Sequence, residues 1–129
     1  MEALVREAIG AAVRRDYERF QFLDVDPEFE YASLFAQAEG TTWRGVDGIR
    51  QWAEEVDTTW DDFRVEVEEI EELGPDLAVV CARLTGRARG SGVPLDRRLG
   101  QVWVREGGLL RRVVAYPSFE EARAAARAA

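Results

Sequence analysis

The chain has 129 residues with a formal net charge of −8, and 47% of its residues are apolar. That length fits one domain with a real core, and the acidic balance repels a phosphate backbone, so no nucleic-acid partner is expected. The chain contains no His, no Lys, no Asn and a single cysteine, Cys81. Those absences remove histidine bases and triads, a lysine Schiff base, an internal disulfide and His- or Cys-built metal sites. Neither a metal nor a cofactor is expected. No apolar run approaches a membrane span, and Arg14 and Arg15 interrupt the first apolar stretch, so no membrane partner is expected and a cytoplasmic location is the default.

In chain order, Val5, Ala8, Ile9, Ala12 and Val13 recur at helical spacing and predict an amphipathic first helix. Asp16 is placed to cap a short second helix carrying Tyr17, Phe20 and Leu23, which Asp26-Pro27 ends. Phe29-Glu30-Tyr31 reads as a short extended segment, and Ser33 to Trp43 as a mixed loop. After Gly45, residues Val46, Ile49, Trp52, Ala53, Val56 and Trp60 line one side of a long helix. From Phe63 the period changes to two. Turns at Gly74-Pro75-Asp76, Gly90-Ser91-Gly92 and Glu106-Gly107-Gly108 then divide the chain into four strands in meander. Ser118, Glu120 and Glu121 open an Ala-rich terminal helix. Helices grouped before a sheet predict an α+β layer fold in one domain, residues 1–129.

Arg14-Arg15-Asp16, Asp26 to Tyr31, Thr42 to Ile49, Gly90-Ser91-Gly92, Gln101-Val102-Trp103 and Phe119 to Ala122 lie in an order that resembles the SnoaL-like group of the nuclear transport factor 2-like superfamily. The resemblance implies a cone: a strongly bent antiparallel sheet whose concave face is covered by the N-terminal helices. It also implies an apolar interior suited to a small ligand, and frequent dimerisation through the outer face of the sheet. Activities in that superfamily include ketosteroid isomerases, polyketide cyclases and epoxide hydrolases, beside non-catalytic binding domains, so the fold does not settle the function.

Position by position, the resemblance puts Ile9, Tyr31 and Gly100 where ketosteroid isomerases carry a Tyr, the general-base Asp and an oxyanion-hole Asp. Relatives of limonene epoxide hydrolase are matched at Arg83 alone, with Thr85 and Ala115 where they carry Asp. The His-dependent cyclases and dehydratases find no His here. None of these active sites transfers intact.

The candidate ligand-binding residues are Tyr31, Arg83, Trp43, Trp60, Tyr17 and Phe35. Tyr31 replaces a pocket base and can donate to a carbonyl, although a half-buried aromatic needs no ligand. Trp43, Trp52, Trp60 and Phe35 can form an aromatic wall and Tyr17 and Phe20 can close the mouth, but core packing accounts better for Trp52 and Trp60 on the apolar stripe of their helix, and a short amphipathic helix needs Tyr17 and Phe20 in any case. Arg83 shares strand parity with Val79 and Cys81, a set that the resemblance places inward; a charge there needs a partner, protein or ligand. With that parity, Leu84, Leu99, Gln101, Trp103, Val114 and Tyr116 face outward and form an apolar surface for a homodimer. Two readings stay open. One is a binding protein, or a divergent isomerase, cyclase or hydrolase, for a polyketide-, steroid- or terpenoid-like ligand, with Tyr31 and Arg83 as donors. The other is a non-catalytic dimeric association domain whose cavity its own aromatics fill. An interior pocket of about 300 Å³ or more separates them.

Overall fold

The computed structural model describes residues 1–128; Ala129 and the side chain of Phe35 lie outside the described residues. The elements run α1 (Glu2–Val13), α2 (Tyr17–Phe22), β1 (Val25–Ala32), α3 (Leu34–Ala38), β2 (Trp43–Arg44) and α4 (Gly45–Thr59). They continue through β3 (Trp60–Glu72), β4 (Leu77–Ala88), β5 (Pro94–Glu106) and β6 (Leu109–Tyr116) to α5 (Phe119–Ala128). The mixed loop of the sequence reading thus holds a short helix and a two-residue strand, and β1 starts before Pro27. No described helix is long and apolar enough to cross a membrane.

Local chemistry sets the boundaries. Asp16 caps α2 by accepting from the Arg19 amide at 3.0 Å. Ser118 caps α5, its hydroxyl taking the Glu121 amide at 3.1 Å while Glu121 reaches back to that hydroxyl at 3.2 Å. Gly107 and Gly108 both adopt positive φ, the requirement of the tightest hairpin turn, and join β5 to β6.

One six-stranded sheet forms, ordered β2-β1-β6-β5-β4-β3. It is mixed rather than wholly antiparallel: β1 runs parallel to β6. The hairpin turns impose antiparallel neighbours from β3 to β6, but β1 connects onward through α3, β2 and α4, a crossover long enough to permit the parallel pairing. Register breaks within β3 and between β5 and β6 bend the strands. Aromatic contacts measure the result. In a flat sheet, four spacings of about 4.8 Å would hold β1 and β3 about 19 Å apart. Yet Tyr31 of β1 and Phe63 of β3 both stand edge-on to Trp52 of α4, at 5.7 and 6.3 Å. The sheet curls, and α4 spans from its β1–β2 side to its β3 edge.

Helices α1, α2 and α4 cover the concave face. Val5, Ala8, Phe20 and Ile49 pack there against Ala78, Val80, Ala82, Leu99 and Trp103. The opposite face is covered at one end by α5, whose Ala122 and Ala126 meet Val79 and Val102. Glu71 of β3 ties this helix down through Arg123 at 2.9 Å and Arg127 at 3.4 Å.

Two strand-face expectations are corrected here. On β4 and β5 the inward set is Ala78, Val80, Ala82, Leu84, Leu99, Gln101 and Trp103, while Val79, Cys81 and Arg83 face outward. Val114 and Tyr116 do face outward, in register with Val102 and Gly100. Because Trp103 is only 4% exposed beneath the helices, the broad apolar outer surface expected to support a homodimer is absent. Gly100 fixes how closely α5 approaches: a Cβ there would lie 2.5 Å from the Ser118 carbonyl oxygen and 2.6 Å from the Ala122 Cβ. Gly100→Ala is expected to cost about 1–3 kcal/mol through overpacking. Urea unfolding checks this, and an unchanged midpoint would mean that α5 shifts without penalty.

Candidate functional site

Phe29, buried in the middle of the cone, packs edge-on against Phe20 at 5.8 Å and tilted against Trp103 at 6.0 Å. These rings fill the closed half of the concave face. The Trp103 indole N–H donates to the Gln101 side-chain oxygen at 2.9 Å, satisfying the one polar atom of that packing.

Toward the open half stand Tyr31, Trp52, Phe63, Val65 and Leu84, all partly buried. Tyr31 is the one sequence-predicted site residue that packs among them. Burial alone raises its phenol well above the ordinary range, so the hydroxyl stays protonated and donates near neutral pH. Among the described residues that hydroxyl has no hydrogen-bond partner.

Trp52 is held from its far side by Arg15, whose guanidinium lies 6.0 Å from the ring centroid. Arg15 adopts φ 62°, an uncommon left-handed conformation for a residue other than glycine, just after α1. Its side chain compensates by donating to the Val13 carbonyl at 2.7 Å and, in a two-pronged ion pair, to Asp57 of α4. The turn after α1 therefore fixes the position of α4 and of Trp52.

The other predicted site residues lie apart. Trp43 sits outside the cone, donating to the Ser33 hydroxyl at 3.3 Å and edging a shallow depression of about 350 Å³ with Gln51, Glu54, Glu55 and Thr58 of α4. Tyr17 carries Arg50 over its ring at 5.0 Å. Trp60 opens β3 opposite Ala88, at the end of the β3–β4 pair farthest from its connecting turn. Phe35 lies in α3, its side chain outside the described residues. A second depression, about 130 Å³, is bordered by Phe20, Val25, Pro27 and Val46 at the start of β1. Neither depression lies within the cone.

Arg83 is corrected in both face and partner. On the outer face it makes two hydrogen bonds to Asp96, at 2.9 and 2.7 Å, beside a parallel pair between Arg98 and Glu68. Asp96 consumes the guanidinium, and the sheet separates it from Tyr31. Gly100, compared above with an oxyanion donor, likewise faces outward beneath α5, and its concave neighbours are Leu99 and Gln101. Ile9 does pack against the concave core.

Sequence reasoning missed Arg97. Directly opposite Leu84 and next to Val65 in register, it occupies the concave side of β5 at the open end, with an exposed side chain and no ion pair among the described residues. The signal was present as the Arg97-Arg98 pair, since adjacent strand residues point to opposite faces and one of the two must face inward.

On the outer face, hydrogen bonds from Arg83 hold Asp96 below its ordinary pKa, and those from Arg98 do the same for Glu68. Carboxylates lowered in the folded state stabilise it above their unfolded pKa, about 4, and lose that contribution as pH falls through the folded value. Both pairs are exposed and screened by solvent, so the effect at neutral pH is small. Asp96→Asn is therefore expected to change the melting temperature little at about pH 7 and to flatten its fall toward about pH 3. Thermal melts across that range check it; an equally steep fall in the variant would remove this pair from the acid response.

No family model matches the chain, and no curated protein does. Solved structures match over nearly its whole length. An NTF2-like protein from Burkholderia thailandensis E264 superposes with TM-score 0.76 at 21% identity, covering 97% of this chain and 95% of that one. A protein of ketosteroid isomerase-like fold from Catenulispora acidiphila DSM 44928, in complex with trimethylamine, gives 0.72 at 17%, with 96% and 92% covered. TerC co-crystallised with polyporic acid gives 0.72 at 18%, with 98% and 97% covered. The curled mixed sheet, the helices across its concave face and these superpositions together show that the chain has the nuclear transport factor 2-like fold, the fold of the ketosteroid isomerase-like proteins.

Proposed function

We propose that the protein binds an oxygen-bearing, largely apolar small molecule at the open end of its concave face, against Tyr31, Trp52 and Phe63. The observation that carries this reading is the Tyr31 hydroxyl, set among core residues without a protein partner. The hydroxyl is not sealed off, since among the described residues the fully buried unpartnered side-chain atom is Arg123 Nε, so a water or a ligand oxygen can reach it. Trp52 and Phe63 supply flat apolar surface beside it. Two fold neighbours were crystallised with small molecules, trimethylamine and polyporic acid, which supports the fold as a small-molecule holder.

The reading is one of binding rather than proton-transfer catalysis. In the concave register of β3 to β6 the carboxylate is Glu72, which is taken up at the N-terminus of α1, accepting from the Glu2 amide at 2.6 Å. No histidine or lysine exists to replace it as a base. What Tyr31 offers is a neutral donor that can hold or polarise a carbonyl. A second reading, an association domain with a self-filled interior, is favoured by Phe20, Phe29 and Trp103, which pack the closed half of the cone, and by the two depressions described above, neither of which is lined by Tyr31, Trp52 or Phe63.

Titration with an uncharged aromatic ketone such as 2-acetylnaphthalene, followed by calorimetry, separates the two. Binding by the parent, weakened about 3- to 10-fold in Tyr31→Phe, is expected, the size of a neutral hydrogen bond. No binding up to the solubility of the probe would leave the association reading. A Δ5-3-ketosteroid is expected to show no turnover above background by the ultraviolet absorbance of the conjugated product, because a positioned base is worth about 10²–10⁴-fold and none stands beside Tyr31 among the described residues.

A further inference from the structure

We propose that Arg97 is the polar anchor of the concave face, so that the ligand taken there carries an acidic oxygen, a carboxylate or an ionised enol. This rests on the binding reading above and adds the chemical class. Directly opposed residues of an antiparallel pair share a face, so Arg97 belongs with Leu84 and Val65, both packed against the concave core.

The partners of its neighbours define its role. Arg83 is taken by Asp96, Arg98 by Glu68 and Arg89 by Asp61. Two further arginines of this end, Arg64 and Arg87, stand in register with Thr85 and Asp61 and so belong to the outer face. Arg97 is thus the arginine of the arm that combines the concave register with the lack of a carboxylate partner among the described residues.

The rest of the face sharpens the inference. The other polar strand positions of that face are engaged: the Gln101 oxygen by Trp103, Glu72 by the N-terminus of α1 and, at the same far end, Arg105 by Asp76. An unpaired cation at the open end of this aromatic face, on a chain of net charge −8, selects the sign of the ligand's polar group. Its planar fork pairs with a carboxylate or enolate through two parallel hydrogen bonds, while the apolar body lies toward Trp52 and Phe63.

The test compares 2-naphthoic acid with uncharged 2-acetylnaphthalene by isothermal titration calorimetry. The parent is expected to prefer the acid, and Arg97→Gln to reduce that preference about 10-fold, the lower end for a charged hydrogen bond at an exposed site. Arg87→Gln makes the same change in net charge from the outer face and is expected to leave the preference unchanged. Arg97→Lys is expected to keep part of it, as a charge without the fork. Added salt should weaken acid binding by the parent but hardly by Arg97→Gln. Binding of both probes with a preference that Arg97→Gln leaves intact, or that Arg87→Gln removes equally, overturns this inference while the binding reading stands. A parent protein that binds neither probe overturns both.

Discussion

Curling a six-stranded sheet until its β1 and β3 sides share one tryptophan is the constraint on which the rest of the structure depends. Trp52 is met by Tyr31 from one side, Phe63 from the other and the Arg15 guanidinium from a third. Each contact is modest alone, since aromatic pairs add about 0.5–1.5 kcal/mol beyond their burial. Together they connect β1, α4, β3 and the turn after α1. The left-handed backbone at Arg15 fits this view: an unfavourable conformation persists where the surroundings over-determine it, here through Asp57 and the last carbonyls of α1.

The same brace explains why the concave face divides into two halves. Toward the closed end, Phe20, Phe29 and Trp103 meet at ring distances near 6 Å and exclude a ligand. Toward the open end Tyr31 and Phe63 stand at similar distances from Trp52, 5.7 and 6.3 Å, but these three rings are only partly buried and keep part of their surface open. At that boundary the Tyr31 hydroxyl is held protonated by its burial and so acts as a donor.

Much of the fold was legible in the sequence because local signals agreed with the global arrangement: the stripe on α1, the cap at Asp16, and the three turns that divide β3 to β6. Strand parity was not legible, and β4 shows why. Ala78 and Val80 are buried under the N-terminal helices while Val79 is buried under α5, so the strand is apolar on both faces in its first half. A strand buried on both sides carries no alternation, and a one-residue error exchanges its faces completely. Gly100 was the available cue, since a residue without a side chain in the middle of a long strand marks a close approach, here by Ser118 and Ala122 of α5. The concave placement of Tyr31 was legible because it lies on a short strand in parity with Phe29, whereas Arg83 inherited the error of β4.

Reversing that parity changes the meaning of the charges as well as of the apolar residues. A buried arginine would have required a ligand or an internal carboxylate, whereas an exposed Arg83 beside Asp96 is an ordinary surface pair and contributes little. The outer face becomes a ladder of opposite charges beyond the edge of α5, with Glu66 and Glu68 of β3 facing Arg83 and Arg98. Such a face is wettable where those charges lie, whereas Val104, Val114 and Tyr116 keep its other end partly apolar. Meanwhile the concave face carries its one unpaired charge at the lip, where water still reaches it. An arginine there keeps its hydration in the absence of ligand, which a fully buried one would forfeit at large cost. With the charge at the rim and the neutral phenol packed against the core, the concave face places Arg97 where it needs no buried counter-ion.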